Sequence, residues 1–356
     1  MSSPRVFLAC ESTLAGGGGI SRVARLVGRV LGEEQSRGAL EASALALSDD
    51  VPGSDLGLPV EAARRSRMSF VYRVHKAALT HSHFIYDFVG MARAHCRLPL
   101  LRRPFMTFLC GIDVWEGTRP DRVRVARRSD FLVSISEYTR QRAERAHGGF
   151  SRARVCWPGT ESDDPPATRR RQDGPPSVLI LGRVVEGRDK GHAALIDCWP
   201  EVVKAVPEAR LVVVGGGSGL GVVRSQANGS PMAASIDVRG FVPEDRIESV
   251  WTDSSVFAMP SRGEGFGLVY IEAMRHGLPV IGSTHDAAPE INLEGETGYN
   301  VNLDRPGELA DRIIRLLRDR ELAERLGKVG HQRWQEHFRY SAFRDRFLPI
   351  LREFLG

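Results

Sequence analysis

Short apolar, β-rich runs alternate with helix-patterned stretches along this chain. RVFLAC (5–10) is followed by GISRVARLVGRVLGEE (19–34), whose apolar residues recur at helical spacing. HFIYDF, FMTFLC, FLVSISEYT and ARVCWPG continue the series, with polar helical patterns between them. This βα alternation predicts mostly parallel sheets. The stretch 163–176, DDPPATRRRQDGPP, combines prolines and charge without periodicity and predicts an exposed linker. A second series follows: SVLILG, ARLVVVGGG, SIDVRGF, SVFAMPS and LPVIGS. Each run ends in residues suited to a loop at the carboxyl end of a strand, the edge where open α/β sheets bind ligands. Past Gly298 the pattern reads as helical to the end. The expected division is therefore a Rossmann-like domain over 1–162, the linker 163–176, a second Rossmann-like domain over 177–335, and a helix over 336–356. Two such doubly wound domains facing each other would enclose a central cleft.

Composition narrows the class. The chain has 356 residues, 42% hydrophobic and 26% charged, which suffices for two domains with real cores. It contains no apolar run of membrane-spanning length, and MSSPRVFLACESTLAGGGG lacks the apolar core and flanks of a signal peptide. The expectation is a cytoplasmic protein. Cys10, Cys96, Cys110, Cys156 and Cys198 are odd in number and form no C-x-x-C pair, which argues for reduced thiols rather than a disulfide framework or a zinc site.

Charge is unevenly spread. Residues 1–160 hold 24 Lys and Arg against 15 Asp and Glu, while the remainder holds 25 against 29. Arg64, Arg65 and Arg67, Arg102 and Arg103, and Arg122, Arg124, Arg127 and Arg128 form basic clusters. These read either as a solvated basic face or as a surface for anionic lipid headgroups, peripheral at the inner face of a membrane. Zinc-finger spacing, RNP-like motifs and aromatic interleaving are missing, so nucleic acid is not an expected partner.

Three stretches carry candidate chemistry. In LGRVVEGRDKGH, after the first strand of the second series, Arg183 and Lys190 place two cations at a strand's carboxyl end, which suits a diphosphate. VVVGGGSGLG around Gly216 has neither the P-loop lysine nor a full dinucleotide fingerprint, and reads as a tight βα turn. GGGGIS (16–21), with Gly18 and Gly19, reads either as a loop admitting a phosphate or sugar or simply as a loose loop. In SRGEGFGLVYIEAM, a helix starting near Gly267 would put Glu272 in its early turns and leave Glu264 on the glycine-rich loop before it. Both carboxylates could then face one ligand, near a helix N-terminus offering unpaired N–H groups.

EGFGLVYIEAM, followed by GLPVI, resembles the signature of retaining nucleotide-sugar-dependent glycosyltransferases of family four, which have the GT-B fold. Gly182-Arg183 with Lys190-Gly191 matches the diphosphate site of that family, and VRGFVP, MPSRGEGFG and GYNV keep its order. The resemblance covers the second domain. It implies that Arg183 and Lys190 bind the donor diphosphate and that Glu272 holds the ribose hydroxyls. Glu264 would orient the sugar together with the N–H groups of Gly265, Phe266 and Gly267, while Leu268 and Val269 add N–H donors. Gly18, Gly19, Gly216, Phe241 and Val242 would complete the donor surroundings. Glu264, Arg183 and Lys190 would thus carry catalysis on a UDP- or GDP-sugar.

The first domain matches more thinly, through the first strand, the glycine loop, TFLCGIDVW and VSISEYTR. Relatives often carry a donor-contacting histidine where this chain has Cys110. His81 and His83 are nearby in sequence as substitutes, and His83, Cys110 and Asp113 are the acceptor- or sugar-side candidates. No D-x-D triplet is present, so neither a metal nor another cofactor is expected. The resemblance also implies that the last helix returns to the first domain, and that the acceptor is a glycan, a lipid-linked intermediate or a small molecule. Two other readings stay open: a sugar-nucleotide epimerase of GT-B fold, and a non-catalytic sugar-nucleotide-binding subunit.

Overall fold

The computed structural model describes residues 3–16, 18–51, 53, 56–166, 174–188 and 190–356, apart from the side chains of Glu244 and Asp245. Part of the expected linker, 167–173, and Gly17 of the first glycine loop lie outside the described residues. Two compact units result: 1–161 with 340–356, and 162–339.

The first unit holds a seven-stranded sheet. Its strands are β1 (Arg5–Cys10), β2 (Glu41–Ala46), β3 (Val60–Ala62), β4 (His83–Tyr86), β5 (Phe105–Leu109), β6 (Phe131–Ser134) and β7 (Arg154–Val155), in spatial order β3-β2-β1-β4-β5-β6-β7. Every pairing is parallel, with Arg5 opposite Glu41 and Val6 opposite His83. Helices cover both faces of a parallel sheet, so its strands are apolar throughout: β1 is buried from Val6 to Cys10 and β5 over its whole length. Helix α1 (Gly19–Ser36) turns Val23, Leu26, Val27, Val30 and Leu31 inward, the stripe that the sequence predicts. Helix α2 (Arg67–Ala77) buries only Phe70, Val74 and Ala77. The terminal helix, Tyr340–Leu355, belongs to this unit and packs Phe347 against Phe108.

The second unit has a six-stranded, wholly parallel sheet made of β8 (Ser177–Leu181), β9 (Arg210–Val214), β10 (Ile236–Gly240), β11 (Val256–Ala258), β12 (Val280–Ser283) and β13 (Gly298–Val301). Its order is β10-β9-β8-β11-β12-β13. The expectation of helix beyond Gly298 is corrected here, because Gly298–Val301 is a fully buried edge strand in register with Val280–Ser283. Four residues are too few for a periodicity to declare itself, and the pairing partner decides. Helices follow it from Glu308 onward.

Both sheets reverse direction beside their first strand. In the second unit β8 has β9 on one side and β11 on the other, so the loops after β8 and β11 diverge at the carboxyl edge. Such a switch point opens a crevice for ligands. In the first unit the corresponding loops follow β1 and β4.

Candidate active site

The two loops at the switch point of the second unit carry the residues singled out in the sequence. The loop after β8 is laid along the extension of β9: Gly182 N–H donates to the Val214 carbonyl at 3.0 Å, and Val184 N–H to that of Gly216 at 3.0 Å. A Cβ on Gly215 would lie 1.8 Å from the Gly182 carbonyl oxygen, and Gly215 has φ +144°, so this close approach of two backbones demands glycine. The run GGGSG therefore seats the Arg183 loop. Arg183 is exposed on that loop, and the stem of Lys190 lies over Gly182.

The loop after β11 is tied down from below. Met259 N–H donates to Ile281, the Tyr270 hydroxyl donates to the Met259 carbonyl at 2.7 Å, and Ser283 Oγ donates to the Ser261 carbonyl. Gly263 N–H donates to Ser261 Oγ at 3.0 Å. The loop ends at Gly267, whose φ of +92° caps the helix Leu268–Arg275, as the sequence predicts. Glu264 then faces Lys190, with Nζ to Oε2 at 3.1 Å and both side chains about a quarter exposed (29% and 21%). Glu272 lies half-buried on the helix itself. Phe266 is only 1% exposed and packs on Phe338, so it can offer a ligand its backbone alone. Leu268 and Val269 form the first turn, where helix N–H groups have no intrahelical partner. Beyond β10, Phe241 is 76% exposed and its Cβ sits against Gly216, with Val242 next to it. Arg183, Lys190, Gly216, Phe241, Val242, Glu264–Gly267 and Glu272 thus all belong to the carboxyl-edge loops of one sheet or the helix that follows them.

In the first unit, Gly18 is the N-cap of α1 and Gly19 its first residue. Cys110 follows β5; its thiol donates to the Asp87 carbonyl at 3.2 Å and its N–H to Asp113 Oδ1 at 3.0 Å. Asp113 also accepts the Val89 N–H at 3.3 Å, and burial pushes its pKa up to about 6. Burial, with Asp113 and Asp87 adding, pushes the Cys110 thiol well up, which leaves it a neutral group. His83 stands apart from these residues. It starts β4, at the amino end, with its ring 5.1 Å from Phe354, whereas Cys110 and Asp113 lie beyond the carboxyl end of the neighbouring strand. His81 also lies at the amino end, bonded to Ser43 Oγ at 3.0 Å and edge-on to the Phe7 ring at 5.1 Å. Neither histidine reaches the loop where Cys110 stands, because each strand is crossed from end to end between them.

Sequence reasoning missed three buried acids at these edges. Asp49 accepts bonds from Ser12 and Thr13, Asp87 accepts the Glu11 N–H at 2.8 Å, and Asp286 follows β12. Each stands one to three residues after a strand, the one signal that could have marked them. Among the described residues no group of three His, Cys, Asp or Glu side chains is arranged to hold a metal ion.

Comparison with known proteins agrees with this geometry. Residues 175–319 match the family described as Glycosyl transferases group 1. A GDP-mannose-dependent alpha-(1-6)-phosphatidylinositol monomannoside mannosyltransferase of Mycobacterium tuberculosis is 31% identical over 245 residues, 64% of this chain and 63% of that protein. A phosphatidyl-myo-inositol mannosyltransferase of the same organism is 33% identical over 230 residues, 62% of this chain and 58% of that protein. The match thus spans about three-fifths of the length of these relatives. Among solved structures, Anabaena Alr3699/HepE in complex with UDP and glucose aligns over 98% of this chain and all of its own, with a TM-score of 0.80 at 16% identity. TarM aligns over 99% of both chains, with a TM-score of 0.79 at 11% identity. The resemblance to nucleotide-sugar-dependent glycosyltransferases is borne out: residues 175–319 form a glycosyl transferases group 1 domain, and the chain has the α/β GT-B fold.

Proposed function

We propose that this protein is a retaining glycosyltransferase that moves a hexose from a nucleoside-diphosphate sugar to a lipid-linked or glycan acceptor. The observation that carries the reading is the meeting of Lys190 and Glu264, a cation and a carboxylate from two different loops, at the switch point of the second sheet. As the bond from the anomeric carbon to the diphosphate breaks, its electron pair goes to the leaving oxygen. Arg183 and Lys190 hold that growing charge, and the first-turn N–H groups of Leu268 and Val269 add dipoles of the same sense. Glu264, with the Gly265–Gly267 backbone, orients the sugar and faces the positive charge developing at the anomeric carbon. The acceptor oxygen bonds to that carbon and its proton passes to the departing phosphate. Glu272 accepts from the ribose hydroxyls, and Phe241, Val242 and Gly216 border the base. In the first unit, Gly18, Gly19, Cys110 and Asp113 are assigned to sugar or acceptor contacts. In this reading protein cations do the neutralising, so no metal is required.

The relatives' names favour a GDP-sugar, specifically GDP-mannose, and an inositol phospholipid acceptor. They also favour work at a membrane. On the first unit Met68, Tyr72, Leu79, Leu98 and Leu100 are exposed, the last 94%, among Arg65, Arg67, Lys76, Arg97 and Arg102. Leu101 packs into the same core as Phe70, Val74 and Ala77 of α2, so both segments share one face. Apolar side chains set among cations suit an anionic lipid surface. No helix among the described residues is long and apolar enough to cross a membrane.

Thermal shift with GDP, UDP and ADP, each followed by transfer from the matching sugar nucleotide, tests the reading. A nucleotide at a hundred times its Kd should stabilise the protein by about 2.7 kcal/mol. Lys190→Ala should weaken its binding on the order of 1.5–3 kcal/mol through the lost charge-assisted bond. Unchanged nucleotide affinity in that variant would remove the diphosphate assignment, and turnover of the donor with no acceptor present would favour the epimerase.

A further inference from the structure

Asp286 stands three residues past β12 and, although an acid, is only 2% exposed. The turn it opens is bound to the Glu264 loop, because the Ala287 N–H donates to the Glu264 carbonyl at 3.2 Å. Asp286 Oδ1 accepts the Ala288 N–H at 2.8 Å. Its other oxygen, Oδ2, is enclosed and makes no full hydrogen bond, although the Glu264 amide and the Ser261 hydroxyl face the carboxyl. An ionised carboxylate held that way is costly, whereas a protonated one is a neutral group. The charged and titratable groups facing it are Glu264 from the glycine-rich loop, with Lys190 paired to it, and Tyr270 from the helix Leu268–Arg275. Tyr270 has committed its hydroxyl to Met259, and the adjacent His285 turns away to Asn302 and Asp304. Asp286 therefore faces a second carboxylate, Glu264, whose charge partner is Lys190. Burial first, and the Glu264 charge as well, push Asp286 well above the usual carboxylate range, while the amides of Ala288 and Glu264 and the Ser261 hydroxyl pull it back.

We infer that Asp286 is a positioning residue that carries a proton beside the glycine-rich loop and so leaves Glu264 as the charged carboxylate that Lys190 pairs. The inference rests on the proposed role of Glu264 and extends it. If Asp286 were charged too, its repulsion would act on Glu264 from behind the loop and compete with the pairing to Lys190 that fixes the aim of Glu264. A neutral Asp286 instead anchors the turn through Ala288 and lets Ala287 hold the Glu264 backbone. Glu264 then meets the sugar already oriented.

The test compares the natural protein with Asp286→Asn, which is isosteric and neutral at every pH. A carboxyl whose folded pKa is raised contributes stability fully present below its unfolded value, and this is lost as pH rises through the folded value. The asparagine variant has no such loss, so its Tm minus that of the natural protein should grow as pH rises above the ordinary carboxylate range. Its kcat should stay within about threefold of the natural value, whereas Glu264→Gln should lower kcat far more. A gap in Tm independent of pH, a variant that fails to fold, or a kcat loss equal to that of Glu264→Gln overturns the inference. Should no donor support transfer by the natural protein, the proposed activity fails while the Tm comparison still decides the state of Asp286.

Discussion

Lys190 and Glu264 make an ion pair that is partly open to water, and such pairs contribute roughly 0–1 kcal/mol to stability. That modesty suits a binding group, since little is lost when the lysine exchanges a carboxylate for a phosphate. Cys110 is the opposite kind of residue. Its partners are main-chain or already committed: the thiol donates to the Asp87 carbonyl, and the contact with Asp113 is made by the Cys110 backbone, which any side chain would keep. With its thiol pKa raised by burial, it offers neither the nucleophile nor the donor-and-acceptor pair that an imidazole would supply. Cys110→Ala should therefore cost less than tenfold in kcat/KM, under about 1.4 kcal/mol of transition-state stabilisation. Steady-state transfer measured beside Lys190→Ala checks this, and a loss matching that variant would give the thiol a chemical role.

At the scale of elements, the helix Leu268–Arg275 sets both carboxylates, and its start rests on one backbone conformation. Gly267 has φ +92°, and a Cβ there would fall 2.3 Å from the Tyr270 ring, whose hydroxyl in turn holds the Met259 carbonyl. Gly267→Ala should destabilise by at least the roughly 1–3 kcal/mol of a strained backbone and should also weaken nucleotide binding, because the first turn must shift. Gly221→Ala, in a helix with nothing within 4 Å of the new Cβ, should be neutral or stabilising by up to about 1 kcal/mol. Denaturant unfolding of the two variants compares them directly; equal effects would refute the argument. This helix start was legible because glycine, carboxylate and apolar spacing occur together in eleven residues. Strands β8 and β9 were legible for a similar reason, being short runs of branched apolar residues. Strands β2 and β3 were not: EASALA and VEA have little β-branching, and they are strands because β2 pairs with β1 and β3 in turn pairs with β2 at the sheet edge. Asp87 and Asp286 escaped because a single acid after a strand says nothing until the sheet order places that strand. The distance of His83 from Cys110 was hidden for the same reason, since nearness in sequence does not tell which end of a strand a residue occupies.

For the whole molecule, the charge asymmetry read from the sequence acquires a location. The excess of cations in residues 1–160 is not spent evenly: Arg22 and Arg25 close on Glu161, Arg142 on Glu116, and Arg140 on Glu137. Around α2 and Leu98–Leu100, Arg65, Arg73 and Arg102 also have acidic partners, Asp50, Glu61 and Asp130, but Arg67, Lys76 and Arg97 stand among exposed apolar side chains, where Lys or Arg near an anionic surface contributes about 1 kcal/mol each. The prediction is that the protein floats with phosphatidylserine- or phosphatidylinositol-containing liposomes and not with purely zwitterionic ones. Raising the salt from about 0.1 M to about 1 M shortens the screening length from about 10 Å to about 3 Å and should release most of it. Met68→Ser with Leu100→Ser should reduce flotation at low salt as well, since these side chains insert rather than attract. Nucleotide affinity should not change in that double variant, because both positions lie outside the unit that holds Lys190 and Glu264. Equal flotation with charged and uncharged vesicles, or flotation indifferent to the double substitution, would show that this face does not bind lipid.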